Sequence, residues 1–365
     1  MSVRKIGLIG LGLIGGSIAK TAKRIHPEIR FIALSGRQST IDAAFREGLI
    51  ENKQNASIKE FADCDYIFLC TPVQQNLMNI EQLKDIMKDS CILTDAGSVK
   101  GDIHRAIAKS GLESHFIGGH PMAGSEKTGF SSATAYLLEN AYYIITPSSA
   151  VSRSHVEEFQ NFVASLGAIP MIMDYDSHDA ATAAISHMPH VIASALVNFV
   201  EKSDDSFGTM KTIAAGGFKD ITRIAGSSPV MWEEICMANK QWILSMFDAY
   251  QESLDQIRNR IASSDADGIR EFFRNAKDYR DSLAVSPKGS MRTVFELYCD
   301  LIDEAGGIAT IATILASNHL SIKNIGIIHN REFEEGVLKI EMYDQNAYER
   351  AIDLLKKYHY TVYER

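Results

Sequence analysis

Hydrophobic and polar positions change their rhythm twice along this chain of 365 residues. Through residues 1–173, short apolar runs alternate with stretches of helical spacing. The runs begin inside VRKIGLIGLGLIGGSIAK (3–20). They continue as FIALS (31–35), YIFLC (66–70), CILTD (91–95), FIGGH (116–120), YYIIT (142–146) and IPMIM (169–173). Helical stretches fall at 40–48, 74–88 and 152–166. Such alternation predicts a doubly covered parallel sheet, an α/β domain over 1–173. After about Asp174 the strand pattern stops. Apolar residues recur at helical spacing in 180–201, 209–225, 230–262 and 267–283, which predicts an all-α domain over 174–285. Ser228 before Pro229 is a helix start, with a capping hydroxyl and proline at the first helical position. SPKGS (286–290) reads as a linker. Residues 294–365 then read strand, helix, strand, strand, helix, strand, at 295–302, 305–318, 320–329, 335–343, 345–358 and 360–364. That order predicts a ferredoxin-like α+β domain.

Composition narrows the partners. The net charge is −9, which argues against nucleic acid and anionic membrane surfaces, so an anionic substrate would need a local basic site. No apolar run is expected to reach the length of a membrane span, and the amino terminus runs into the first strand without a signal-peptide pattern. The five cysteines form neither a CxxC nor a metal spacing and read as reduced thiols of a cytoplasmic protein.

Gly10, Gly12 and Gly15 form G-x-G-x-x-G between the first strand and the first helix, the context this motif requires. Gly10 would make the tight turn, Gly12 admit a pyrophosphate and Gly15 let helix and strand close up. The backbone N–H groups at the helix start, through Leu13 and Ile14, would face the phosphates. The bland alternative is a glycine-rich turn without a ligand. An NAD site usually carries an acidic residue at the end of the second strand. Here Ser35 stands there, followed by Gly36 and Arg37. Without a repelling carboxylate, a 2′-phosphate could sit against Ser35 and Arg37, so NADP as well as NAD is expected. Arg37 as a surface arginine stacked on adenine is the other reading.

Ligands of such sheets bind beyond the strand ends, which singles out Ser35, Thr71 with Pro72, Ser98 and His120. Ser98 could bond a nicotinamide and a substrate, or cap the next helix. His120, among glycines in GGHPMAGSEKTG (118–129), is a candidate base. In HDAATAAISHMPH (178–190), Asp179 and His187 share a helical face and His190 lies one turn on. A metal site is disfavoured there because the spacing is not HExxH. Arg223, in AAGGFKDITRIAGSSPVMW (214–232), could hold a carboxylate bidentately, or pair with Glu126 or Asp220.

Together GLGLIGGS, TDAGSVKG, GGHPMAGSEKTG, the HD…SHMPH helix, AAGGFKDITRIA and SPVMW resemble the monofunctional prephenate dehydrogenases with a C-terminal ACT domain. The resemblance covers most of residues 5–283. It implies a homodimer held by the helical domain, and no fused chorismate mutase. It implies oxidative decarboxylation of prephenate to 4-hydroxyphenylpyruvate, with His120 drawing off the ring hydroxyl proton and Ser98 orienting substrate and nicotinamide. Arg223 would hold a substrate carboxylate, and His190 would line the pocket. Glu126 and Asp179 would gate access through polar contacts with Arg223 and its neighbours, and Gly216 and Trp232 would form the far wall. The ACT segment, with Gly306 and Gly307 before its first helix, would bind tyrosine as a feedback inhibitor. Arogenate dehydrogenase, a 3-hydroxy acid dehydrogenase with a lysine base, and a nucleotide-bound sensor without turnover are the rival readings.

Overall fold

Continuous apolar runs pair as parallel strands where both faces can be covered. The computed structural model describes residues 3–124, 128–283, 295–300, 306–328 and 337–364. Its first elements alternate as the pattern predicts: β1 (Lys5–Ile9), α1 (Leu13–Ile25), β2 (Arg30–Leu34), α2 (Gln38–Arg46), β3 (Tyr66–Leu69), α3 (Val73–Leu83), β4 (Ile92–Asp95) and α4 (Gly101–Ser110). These strands form a parallel sheet in the order β2-β1-β3-β4. One apolar cluster packs Ile6, Leu8, Phe31 and Phe68 with Ile18 and Phe159. A second packs Ile9, Ile67, Leu69 and Leu93 with Ile80 and Ile103. The sheet is therefore a covered Rossmann layer.

One feature departs from the all-parallel expectation. The next elements are β5 (Ile117–Pro121), β6 (Tyr142–Pro147), α5 (Arg153–Ser165) and β7 (Ile169–Ile172). A parallel bridge from Leu93 to Phe116 links β4 to β5, and β6 pairs β7 in parallel, but β6 runs antiparallel to β5, with His120 opposite Ile144. Among the described residues the segment between β5 and β6 holds only a short 3-10 turn, Phe130–Ser132. Without a crossover helix the chain returns in the opposite sense.

Helices follow: α6 (Tyr175–Thr182), a π turn at Ala183–His187, α7 (Met188–Ser203), α8 (Thr209–Ile213), α9 (Gly216–Thr222), a 3-10 turn at Arg223–Gly226, α10 (Pro229–Ala238), α11 (Lys240–Ala262) and α12 (Ala266–Ser282). Ser228 caps α10 as expected, its hydroxyl accepting from the Met231 N–H. The run expected over 230–262 is two helices, broken at Asn239. A second correction concerns apolar length. Tyr175–Ser203 is one helical run of 29 residues that contains an 18-residue window of mean hydropathy 1.3, long and apolar enough to cross a membrane. It also carries buried His178, Asp179 and His187, which are bonded to other side chains of the same unit.

The chain divides into two compact units, Met1–Ile269 and Arg270–Arg365. The second contains β8 (Phe295–Asp300), α13 (Gly307–Ser317), β9 (Ile322–Ile328), β10 (Val337–Met342), α14 (Gln345–Lys357) and β11 (Val362–Glu364). Its sheet is antiparallel in the order β11-β8-β10-β9, with Ile340 opposite both Leu297 and Ile325. Leu315, Ile352 and Leu355 of the two helices pack on Leu297, Leu338 and Ile340. This is the ferredoxin-like arrangement. The expected linker at 286–290 lies outside the described residues.

Candidate active site

The glycine turn has the shape its spacing demands. Gly10 adopts φ +99, and a Cβ there would fall 2.5 Å from the Cys70 carbonyl carbon. A Cβ on Gly15 would lie 2.2 Å from the Gly10 oxygen, so only glycine lets α1 seat against the turn. By contrast, a Cβ on Gly12 would meet nothing within 4 Å. Gly12 is the N-cap of α1 and offers no side-chain acceptor. The first-turn N–H groups of Leu13, Ile14 and Gly15 have no acceptor within the helix and stand at its positive end, beside the open space at Gly12, a cradle that fits a pyrophosphate. Ser35 follows β2, its N–H donating to Asn55 Oδ1 at 2.8 Å. Arg37 is exposed and forms no ion pair among the described residues. Thr71 bonds Asn76, and Pro72 caps α3, whose Val73 N–H donates to Glu234 of α10 at 3.3 Å.

A dense polar layer lies at the ends of β4 and β5. Lys100 and Asp95, both almost wholly buried, form an ion pair. Asp95 also accepts from the N–H groups of Gly97 at 2.9 Å and Gly119 at 3.2 Å. Burial pushes the Lys100 ammonium down from its ordinary pKa while Asp95 holds it up. Gly118 and Gly119 are required above this pair. A Cβ on either would strike Thr146, Tyr143 or the Asp95 carbonyl within 2.7 Å.

His120 stands within β5 itself, at its carboxyl end, and meets the helical region there. Its Nδ1 lies 2.8 Å from His178 Nε2, and His178 Nδ1 lies 2.8 Å from Asp179 Oδ1. A carboxylate only accepts, so the His178 proton sits on Nδ1. With both rings neutral, His178 Nε2 accepts from His120 Nδ1–H. His120 Nε2 is then left with its lone pair, the form a general base requires. Burial, reinforced by nearby His178 and Lys100, holds the His120 pKa well below 6.5 and keeps the ring neutral.

The position of Asp179 corrects two expectations. Its carboxylate accepts from the N–H groups of Lys100 at 2.8 Å and Gly101 at 2.7 Å, so it caps α4 from 79 positions away. Ser98, expected as that cap, is half-buried and makes no hydrogen bond among the described residues. Asp179 is also buried, and its two oxygens are occupied by α4 and His178. It anchors His178 and the start of α4, whereas the sequence suggests a gating contact by Arg223. Glu126, its expected partner in gating, lies outside the described residues.

The helical side carries the remaining candidates. His190 stacks on Trp232 with ring centroids 3.9 Å apart, and His187 meets the same indole edge-on at 6.1 Å. Burial lowers the pKa of both rings, that of His187 to about 4. Arg223 also helps to lower the His190 pKa. His187, Trp232 and His190 form one aromatic series. Gly216 begins α9, and a Cβ there would touch nothing within 4 Å. His178 belongs to the polar cluster that the sequence places on the helix over 178–190. Lys100, Asp95 and Asn239 are not singled out by the sequence, because the contacts that tie Lys100 and Asn239 to Asp179 span 79 and 60 positions.

A glycine cradle for a dinucleotide, a buried imidazole at the carboxyl end of β5 and a group of stacked aromatic rings, all in one compact unit, define a dinucleotide-dependent dehydrogenase of the Rossmann type. Comparison with known proteins makes this specific. Residues 18–171 match "Prephenate dehydrogenase, nucleotide-binding domain" and residues 174–275 match "Prephenate dehydrogenase, dimerization domain". The chain is 39% identical over 348 residues to the prephenate dehydrogenase of Bacillus subtilis, covering 94% of this chain and 93% of that one. Among solved structures it resembles prephenate dehydrogenase from A. aeolicus in complex with hydroxyphenyl propionate and NAD+. There the identity is 28% and the TM-score 0.73, over 77% of this chain and 99% of that one. It also resembles Synechocystis arogenate dehydrogenase, at 29% identity and TM-score 0.68, over 76% of this chain and 99% of that one. The chain belongs to the prephenate dehydrogenase family and is an NAD-dependent dehydrogenase.

Proposed function

We propose that this chain converts prephenate to 4-hydroxyphenylpyruvate and CO2, a step of tyrosine biosynthesis carried out in the cytoplasm. The observation that carries the reading is the His120–His178–Asp179 chain, which leaves His120 Nε2 as a lone-pair base at the end of β5. NAD+, when bound at the glycine turn, accepts the hydride. His120 takes the proton of the ring hydroxyl as its C–O bond becomes a carbonyl, and loss of CO2 then restores aromaticity. Arg223 binds a substrate carboxylate, Ser98 orients the reactant, and His190 with Trp232 holds its ring. Gly216 belongs to the far wall. The domain limits are those read from the sequence, 1–173, 174–285 and 294–365.

The cofactor choice rests on Ser35 and Arg37. With no carboxylate at that position, NADP+ is used alongside NAD+. The ratio of kcat/KM for the two cofactors tests this, and a strong preference for NAD+ would remove it. Exposed Ile185, Phe199, Phe207, Ile213 and Met237 on the helical region support a homodimer. The last unit is an ACT domain that binds tyrosine. In support, Gly306, with φ +98, leaves the start of α13 clear of side chains. Inhibition by tyrosine that survives deletion of residues 294–365 would count against this control.

Turnover is tested by following NAD(P)H formation with prephenate and, separately, with arogenate, the substrate class named for the Synechocystis structure. Prephenate is the expected substrate. Preference for arogenate would move the reading to its amino analogue, and no turnover with either would leave a nucleotide-bound sensor.

A further inference from the structure

The break between α10 and α11 falls on Asn239, a polar residue only 2% exposed. Its side-chain Nδ2 lies 2.8 Å from the backbone carbonyl oxygen of Asp179 and 3.0 Å from His187 Nδ1. The carbonyl can only accept, which fixes the amide's orientation: the NH2 group faces Asp179 and His187. One hydrogen goes to the carbonyl and the other to the imidazole. His187 Nδ1 is then an acceptor, and the ring proton must be on Nε2.

His187 Nε2 is buried and has no hydrogen-bond partner among the described residues, and the same holds for His190 Nδ1 and Trp232 Nε1 beside it. A buried donor without an acceptor costs about 1–3 kcal/mol, so a fold keeps one where a ligand completes it. The backbone supports the same conclusion. His187 closes the π turn Ala183–His187, and such turns cluster at functional sites because they redirect a side chain from the regular helical register.

We propose that Asn239 is a positioning residue: it fixes the tautomer of His187 so that the imidazole presents an Nε2–H donor to an oxygen of the substrate. This rests on the dehydrogenase reading for the identity of the substrate, but the tautomer is a property of the protein alone. The two histidines then have opposite tasks. His120 is held through Nδ1–H and offers a lone pair, whereas His187 is held through a bare Nδ1 and offers a proton. One withdraws a proton during reaction and the other binds a fixed oxygen without reacting.

The test begins with the full chain labelled with 15N in its histidines, the His187 signals being assigned by their loss in His187→Gln. Near pH 7.5, roughly a unit above the free imidazole pKa, His187 should show a protonated Nε2 and a bare, hydrogen-bonded Nδ1. A proton on Nδ1, or on both nitrogens, overturns the proposal. Addition of hydroxyphenyl propionate should shift the Nε2–H resonance. An unmoved resonance, with other site histidines shifted, overturns the contact with substrate. Asn239→Asp presents a carboxylate, which draws the proton to Nδ1. It should lower kcat/KM roughly 10–100-fold in the wild-type background but less than about threefold on His187→Gln. An equal loss in both backgrounds would mean that Asn239 only supports the fold, and would overturn the assignment. If Asn239→Asp does not fold, the wild-type spectra still decide. If the wild type shows the expected tautomer but turns over neither prephenate nor arogenate, the dehydrogenase reading fails and the positioning of His187 stands.

Discussion

The two walls of the site differ in how their polar atoms are satisfied. At the ends of β4 and β5, Asp95 and Lys100, together with Asp179 of α6, are bonded within the protein and hold His120 and His178 in fixed positions. The exception is Tyr143, whose buried hydroxyl has no partner among the described residues. On the helical side, His187 Nε2, His190 Nδ1 and Trp232 Nε1 are buried and without a partner among the described residues. A satisfied network resists displacement because any missing partner leaves a buried group exposed to the full desolvation cost. A bare one awaits a ligand. The first wall is built for chemistry at a fixed point, and the second for binding. Substitutions on the first should therefore cost rate or stability, and on the second affinity.

The largest effect is expected at the base. His120→Asn should lower kcat roughly 10²–10⁴-fold with little change in KM, measured by NAD(P)H formation from prephenate. An intact kcat would break the comparison at its first wall. Asp179→Ala should destabilise the chain by about 3–5 kcal/mol in urea unfolding, since it strips the acceptor from two amides and from His178 at once. Acid should act in the same direction. The pKa values of His104 and His187 are both lowered to about 4 from 6.5 by burial. The unfolded chain therefore binds more protons between those values. Stability is full above about pH 6.5 and falls as pH drops toward 4, by about 3 kcal/mol for each ring, a slope measurable by urea titration at successive pH values.

On the second wall, Arg223→Ala should raise KM for prephenate roughly 10–100-fold while the melting temperature stays within about 2 °C of wild type. A stability loss comparable to that of Asp179→Ala would erase the distinction between the walls. The smallest effect is expected at the cofactor's edge. Arg37→Ala should reduce kcat/KM for NADP+ by about tenfold or less and leave NAD+ nearly unaffected.

Local signals carried much of this structure. The glycines of the first turn foretold its backbone because each serves a contact within a few residues of itself or on the adjacent strand. Ser228 and Pro229 marked the start of α10 for the same reason. The order of elements in the last unit was likewise legible from strand and helix rhythm. What escaped was non-local or changed the register. Nothing near Lys100 tells that its N–H is capped by Asp179. The π turn adds its residue inside a run that still looks helical at a period of 3.6. The sense of β6 depends on what fills the segment before it, and the short 3-10 turn there could not be told from a crossover. His178 was visible in the sequence as a neighbour of Asp179, but its bond to His120 joins two elements 58 positions apart.

The most direct test is the pH dependence of kcat/KM for prephenate in wild type and His120→Asn, from about pH 5 to about pH 9. The account predicts that wild type loses activity only on the acid side, at a pKa below 6.5, as His120 takes up a proton, and that the residual activity of the variant lacks that limb. Equal profiles in the two proteins, or a wild type that forms no NAD(P)H from prephenate, would contradict it.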